Sequence, residues 1–316
     1  MKWFNTESPM LVDAKRAKFQ CNPFLQTLIF IALFFVTNIA SSLILSVYLF
    51  IELINSDIFN SSVAPTTDEI IQHFSNLSSP AVLINLFSTV IVTILVIVYC
   101  KFIEKRSLKS MGLIKKNALN NYLKGYAIGI IIFSLAYIIA VLTGSLSVNG
   151  FNSNISFGLL LLFFIGFLIQ GMEEEVLLRG YFMISLSNRA PMVVAIMVNS
   201  IAFAILHLAN PGITILAFIN LILFGVFASV YVIKTGNLWG ACAIHSAWNF
   251  FQGNIYGIQV SGLDIGTTVL NTTTNSSLSI INGGSFGMEG GLAVTIVLLL
   301  SIIVTLFIKQ EKNNDC

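Results

Sequence analysis

Charge is what this chain has least of. Only 9% of its 316 residues are Asp, Glu, Lys or Arg, against 56% hydrophobic, and the mean hydropathy is +0.89. That excludes an ordinary water-soluble domain, in which about 25% of residues are charged. Cysteine is scarce as well. Cys21, Cys100, Cys242 and Cys316 are scattered without the spacing of a disulfide framework or a thiolate metal site. Histidine is scarcer still, at three residues: His73, His207 and His245. There is no basic patch interleaved with aromatics, so nucleic acid is not an expected partner, and no solenoid-type repeat.

What the chain has instead is long apolar runs. Eight stretches are each long enough to cross about 30 Å of hydrocarbon at roughly 1.5 Å per residue. They lie near 24–53, 81–102, 122–145, 157–184, 191–209, 213–233, 237–256 and 291–308. The expected fold is therefore an all-α polytopic membrane protein of about eight transmembrane helices around an intramembrane cavity. Residues 1–23 read as a cytoplasmic N-terminal segment rather than a cleaved signal peptide, because the apolar run after them is too long for one. Residues 24–308 form a single membrane domain and 309–316 a short tail. Two polar stretches, 55–80 and 257–289, are rich in Asn, Ser, Thr and Gly but do not resemble separate domains.

Basic residues are absent from every second loop. Lys2, Lys15, Arg16 and Lys18 precede the first run, and seven more Lys and Arg lie between Lys101 and Lys124. Arg179 and Arg189 fall toward one end of the fourth run, Lys234 joins the sixth and seventh, and Lys309 and Lys312 close the chain. All 16 thus fall on one side, which predicts cytoplasmic termini and a basic face suited to anionic membrane lipids. The five Asn-x-Ser/Thr sequons, at Asn60, Asn76, Asn154, Asn271 and Asn275, lie in the other loops and match the background of Asn-, Ser- and Thr-rich sequence.

Ionisable groups inside apolar runs are expensive, so those that persist mark function. Three runs carry them. The fourth holds Glu173, Glu174, Glu175 and Arg179. Glu175 and Arg179 are four apart and share a helical face in the favourable acid-before-base order, whereas Glu174 is turned about 100° away. The apolar run resumes after the acids, so these carboxylates face a bundle interior or a wet cavity rather than a membrane edge. The fifth run places Phe203 and His207 four apart. With a turn near 189–190, Glu174 and His207 come to similar heights on antiparallel neighbours, close enough to share a water. The seventh run places His245 and Asn249 four apart. Considered alone, a single His is more often a packing residue and a His/Asn pair a polar clamp between helices. Together the three runs suit hydrolysis: a carboxylate and an imidazole to activate water, and a second imidazole with an amide to stabilise an oxyanion.

The ordered pattern Glu174-Glu175-x3-Arg179, Phe203-x3-His207, His245-x3-Asn249 resembles the CPBP family of intramembrane proteases, over about 105–255. That family includes the CaaX prenyl endopeptidases and the bacterial Abi proteins linked to bacteriocin immunity and peptide maturation. The resemblance implies an intramembrane endopeptidase with Glu174 as catalytic base, His207 holding the attacking water, and His245 and Asn249 at the oxyanion. Glu175, Arg179 and Phe203 would support them, and the substrate would be a membrane-associated or lipidated peptide. Glu173 is an additional acid beside the family motif. Two chemistries are associated with the family. Zinc held by Glu174, His207 and His245 is one alternative. The metal-free glutamic mechanism is preferred, because there is no HExxH and the ligands would come from three separate helices. A composition rich in Ile, Phe, Asn and Ser is compatible with an AT-rich bacterial genome, and hence with the cytoplasmic membrane of a bacterium. Two other classes stay open: a non-catalytic immunity or scaffold protein, and a proton-coupled transporter. Against the latter, no pair of Gly/Pro-interrupted segments occupies matching positions in two halves.

Overall fold

The computed structural model describes residues 8–56, 66 and 77–308, so His73 and the sequons at Asn60 and Asn76 lie outside the described residues. Every one of the eight apolar stretches is helical. The first is α2 (Pro23–Ile54), which follows a short α1 (Pro9–Ala14). The second is α3 (Ser79–Ser88) running on into α4 (Val90–Phe102), and the third is α5 (Ala118–Leu142). The fourth is α6 (Phe157–Glu175), continued by π-helical turns over Val176–Met183 and a last α-turn, α7 (Ile184–Ser187). After it come α8 (Met192–Leu206), α9 (Ile215–Thr235), α10 (Trp239–Phe250) with a π-helical extension Phe251–Ile255, and finally α12 (Leu292–Phe307). A short α11 (Ser279–Asn282) precedes that last helix.

Among the described residues five helices are long and apolar enough to cross a membrane: Pro23–Ile54, Ser79–Phe102, Ala118–Leu142, Phe157–Ser187 and Ile215–Thr235. The chain is an all-α polytopic membrane protein, but the expected count of eight full spans is not confirmed. Met192–Leu206 and Leu292–Phe307 are shorter apolar helices. At 15 residues the first of these covers only about 22 Å of a roughly 30 Å core. Hydropathy measured the apolar run, whereas helix length also depends on where the backbone is capped.

The caps follow local chemistry. Asn22 accepts from the Leu25 amide ahead of Pro23, Ser156 accepts from Leu159, and Thr214 accepts from Ala217, each satisfying an otherwise orphaned donor. Helix α9 stops at Gly236, whose φ of 67° favours glycine.

Helix α10 is the centre of the bundle, with every residue from Gly240 to Phe250 buried. It packs against α5 and α6 at backbone distance. A Cβ at Gly129 of α5 would sit 2.6 Å from the Ile244 carbonyl oxygen, and one at Gly171 of α6 would sit 2.7 Å from the Ser246 amide nitrogen. Small residues permit this approach, as they do in other membrane bundles. By contrast α2 turns most of its apolar surface outward, including Phe35, Ile39, Leu43 and Phe50, as a lipid-facing helix would.

The two ends of the bundle differ. At one end the Gly112 carbonyl accepts from the Leu238 amide at 2.9 Å, Trp239 Nε1 donates to the Ile114 carbonyl at 2.9 Å, and Asn188 Nδ2 donates to Ala14 at 3.2 Å. A buried ion pair, Glu104 with Arg106 at 2.7 Å, is tied to α2 and α7 by donation from Gln26 and Ser185. These contacts gather segments 8–20 and 103–117, with their Lys and Arg, and the turn 236–239 at this end. Arg179 is a correction to the charge map: it is fully buried within the bundle, and Arg189 alone marks that end of the fourth span. The opposite end carries no Lys or Arg among the described residues. There β1 (Leu146–Phe151) pairs antiparallel with β2 (Leu270–Thr274), Leu146 opposite Thr274 and Phe151 opposite Leu270. This two-stranded sheet departs from the purely helical expectation and anchors the 257–289 stretch to the bundle.

Candidate active site

Helices α6, α8 and α10 bring the residues of the three motifs to one cavity of about 330 Å³. Its wall includes Glu174, His207, His245 and Asn249, together with Phe203 and Glu173. Glu175 and Arg179 lie behind that wall, both fully buried. Arg179 Nη1 donates to Glu175 Oε1 at 2.9 Å, the pair their four-residue spacing implies. Its guanidinium also lies 4.7 Å from the centroid of the Phe203 ring, a cation–π contact that gives this aromatic a structural task.

Glu175 Oε1 accepts a second hydrogen bond, from His245 Nδ1 at 3.0 Å. With Nδ1–H given to Glu175, the other nitrogen of His245 faces Glu174 Oε2 at 3.6 Å. It offers a lone pair in the neutral ring and a donor in the imidazolium. Phe224 packs edge-on at 5.0 Å and holds the ring plane. Glu175 therefore positions His245, and Arg179 positions Glu175.

Glu174 has a different neighbour on its own helix. Gln170, one turn earlier, donates from Nε2 to Glu174 Oε1 at 2.7 Å and accepts from Asn249 Nδ2 at 2.9 Å through Oε1. One amide thus connects the proposed base on α6 to the asparagine on α10. Glu174 Oε2 is buried and has no hydrogen-bond partner among the described residues.

His207 caps the C-terminus of α8. Its Nδ1 lies 2.8 Å from the Phe203 carbonyl oxygen. A carbonyl only accepts, so Nδ1 carries the proton and the remaining ring nitrogen of the neutral imidazole is a free acceptor. Glu174 and His207 share the cavity, but no direct hydrogen bond joins them. The imidazole in ion-pair range of Glu174 is His245, not the His207 that hairpin heights matched to it. Asn249 likewise directs its amide to Gln170 rather than standing alone beside His245.

Two residues of this region were not singled out from sequence. Gln170 was detectable, since it stands four before Glu174 on one helix face. Glu289 was not: it lies in a Gly-rich loop just before α12, yet its side chain is buried and lines the same cavity. Gln252 and Ser261 donate to its carboxylate, and Asn220 donates to its backbone oxygen at 2.7 Å. Burial pushes its carboxyl up to about 7, against the opposing pull of the hydrogen bonds from Gln252 and Ser261.

A zinc ion would need Glu174, His207 and His245 as ligands. Among the described residues no group of three or more His, Cys, Asp and Glu side chains is placed to hold a metal ion. Both histidines give Nδ1–H to a protein acceptor, as metal-ligating imidazoles commonly do, so a metal site here rests on convergence of the three side chains, which the described residues do not show.

No curated protein and no solved structure matches the chain. Residues 156–251 match the family model described as type II CAAX prenyl endopeptidase Rce1-like, a segment that begins at the cap of α6 and ends just past Asn249. Over residues 156–251 the chain is similar to that prenyl endopeptidase family, and the matched segment contains all three of the helix motifs.

Proposed function

We propose that the chain is an endopeptidase that hydrolyses a peptide bond of a membrane-associated or lipidated peptide, with Glu174 as the general base. The observation that carries this reading is the shared cavity. In it Glu174 Oε2 has no hydrogen-bond partner among the described residues, His207 keeps one ring nitrogen beyond its bond to Phe203, and His245 and Asn249 line the same wall. A water held by His207 gives its proton to Glu174 as its oxygen attacks the carbonyl carbon. The carbonyl oxygen becomes negative and is met by His245, as imidazolium, and by the second amide proton of Asn249, the first being given to Gln170. Glu174 then returns the proton to the departing amine. All of this is metal-free, and Glu175 and Arg179 act only by orienting His245.

The basic end of the bundle is assigned to the cytoplasm, with both termini there, and the host membrane is that of a bacterium. The biological role is maturation of a peptide or immunity to a bacteriocin. The chemical reading is tested by purified protein in lipid given a membrane-delivered peptide. Glu174→Ala and His207→Ala should each lower cleavage by about 10²- to 10⁴-fold, the usual range for a general base, while the protein stays folded. Full cleavage by both variants overturns the site.

A further inference from the structure

Glu173 is the carboxylate of the triplet that this chemistry leaves without a task. It is 7% exposed, lines the same cavity as Glu174, and has neither a hydrogen bond nor an ion pair among the described residues. Its two neighbours are both engaged, Glu174 by Gln170 and Glu175 by Arg179 and His245. Elsewhere on the wall Glu289 adds another carboxylate, hydrogen-bonded by Gln252 and Ser261 and with no ion pair among the described residues. Against these three acids the cavity wall contains no Lys or Arg. Arg179 is committed to Glu175 and lies outside the lining.

We propose that Glu173 is a substrate-binding residue that receives a positively charged group of the peptide beside the bond Glu174 hydrolyses: a Lys or Arg side chain, or a free amino terminus. The substrate class named here rests on the endopeptidase reading. An ionised carboxylate buried without a partner is costly, and a substrate cation supplies the missing partner in a low-dielectric site. The same wall discriminates against anions. An acidic side chain near the scissile bond meets Glu173, Glu174 and Glu289 and no Lys or Arg side chain. The preferred substrate is therefore a basic apolar peptide cut at an internal bond.

The test uses the full chain in neutral phosphatidylcholine vesicles, so that the lipid itself does not attract cationic peptides. The probes are apolar peptides in which Lys, norleucine or Glu is walked through each position. Binding is measured on the Glu174→Gln protein and cleavage on the wild type. At one or two positions Lys should bind at least about tenfold more tightly than norleucine, and Glu more weakly, as expected for one desolvated charge-assisted contact. Glu173→Gln, added to the same background, should bring the Lys/norleucine ratio close to one, and Glu173→Asp should retain the preference. Equal or undetectable binding of all three peptides, or a Lys preference that survives Glu173→Gln, overturns the proposal. Charge-selective binding without cleavage by the wild type would instead refute proteolysis and leave the cation site standing. Cleavage indifferent to charge would do the reverse.

Discussion

Removing Arg179 should show how much of the site is held together by one buried ion pair. Arg179 and Glu175 are both fully buried, 2.9 Å apart, and Glu175 Oε1 also accepts from His245. Arg179→Met deletes the cation and leaves the Glu175 carboxylate in the bundle with only an imidazole beside it. Stranding one member of a buried pair costs about 3–5 kcal/mol, and loss of the contact with the Phe203 ring adds up to about 2 kcal/mol. Arg179 itself is imperfectly satisfied, since Nε and Nη2 lack hydrogen-bond partners among the described residues. The double variant Glu175→Gln/Arg179→Met should therefore recover most of the lost stability, because paired removal of buried charges is often neutral. It should not recover activity. A glutamine still accepts from His245 Nδ1, but as a neutral amide it holds the ring less strongly than the carboxylate does. Unfolding in mild detergent gives the stabilities, and peptide hydrolysis in lipid gives the activities. A single variant within about 1 kcal/mol of wild type, or a double variant no more stable than the single, would refute this account of the pair.

Three further outcomes follow from the same geometry. Gln170→Leu removes the amide that joins Glu174 to Asn249. It should lower kcat by about 10- to 100-fold with KM little changed, since the lost interactions act on the base and the oxyanion side rather than on ground-state binding. Glu289 carries its carboxyl from 4.5 up to about 7 by burial. The folded state thus binds that proton more tightly, so the stabilising effect is complete below about pH 4.5 and is lost as pH rises through about 7. Thermal unfolding should show higher stability in acid, by at most roughly 3 kcal/mol, and Glu289→Gln should flatten the profile. Chelators should leave hydrolysis intact; a tightly bound, stoichiometric metal in active protein would contradict the glutamate chemistry.

The parts of this molecule legible in its sequence are those set by local period. Apolar runs located all eight helical stretches, and the Glu175/Arg179 spacing located a pair that forms as spaced. Span length was less legible, because α8 and α12 are shorter than their apolar runs. Lateral geometry was not legible at all. Counting residues from a hairpin turn gives depth along an axis and says nothing of rotation, so it set Glu174 level with His207, which lines the same cavity, but gave no sign that the close approach of α10 through Gly171 also puts His245 beside Glu174. Gln170 was readable as a helical neighbour of Glu174, but its second partner, Asn249, lies 79 residues away. Glu289 gave no local signal, since its burial depends on a loop held by Gln252, Ser261 and Asn220 from other elements.

The central claim is tested most directly by incubating the pure protein in lipid with a membrane-delivered peptide and identifying the products by mass. Two fragments whose masses sum to the peptide plus one water, formed by the wild type and at least about a hundredfold more slowly by Glu174→Gln, are the expected result. Equal rates for the two proteins, or no fragments from any membrane-delivered peptide, would contradict it.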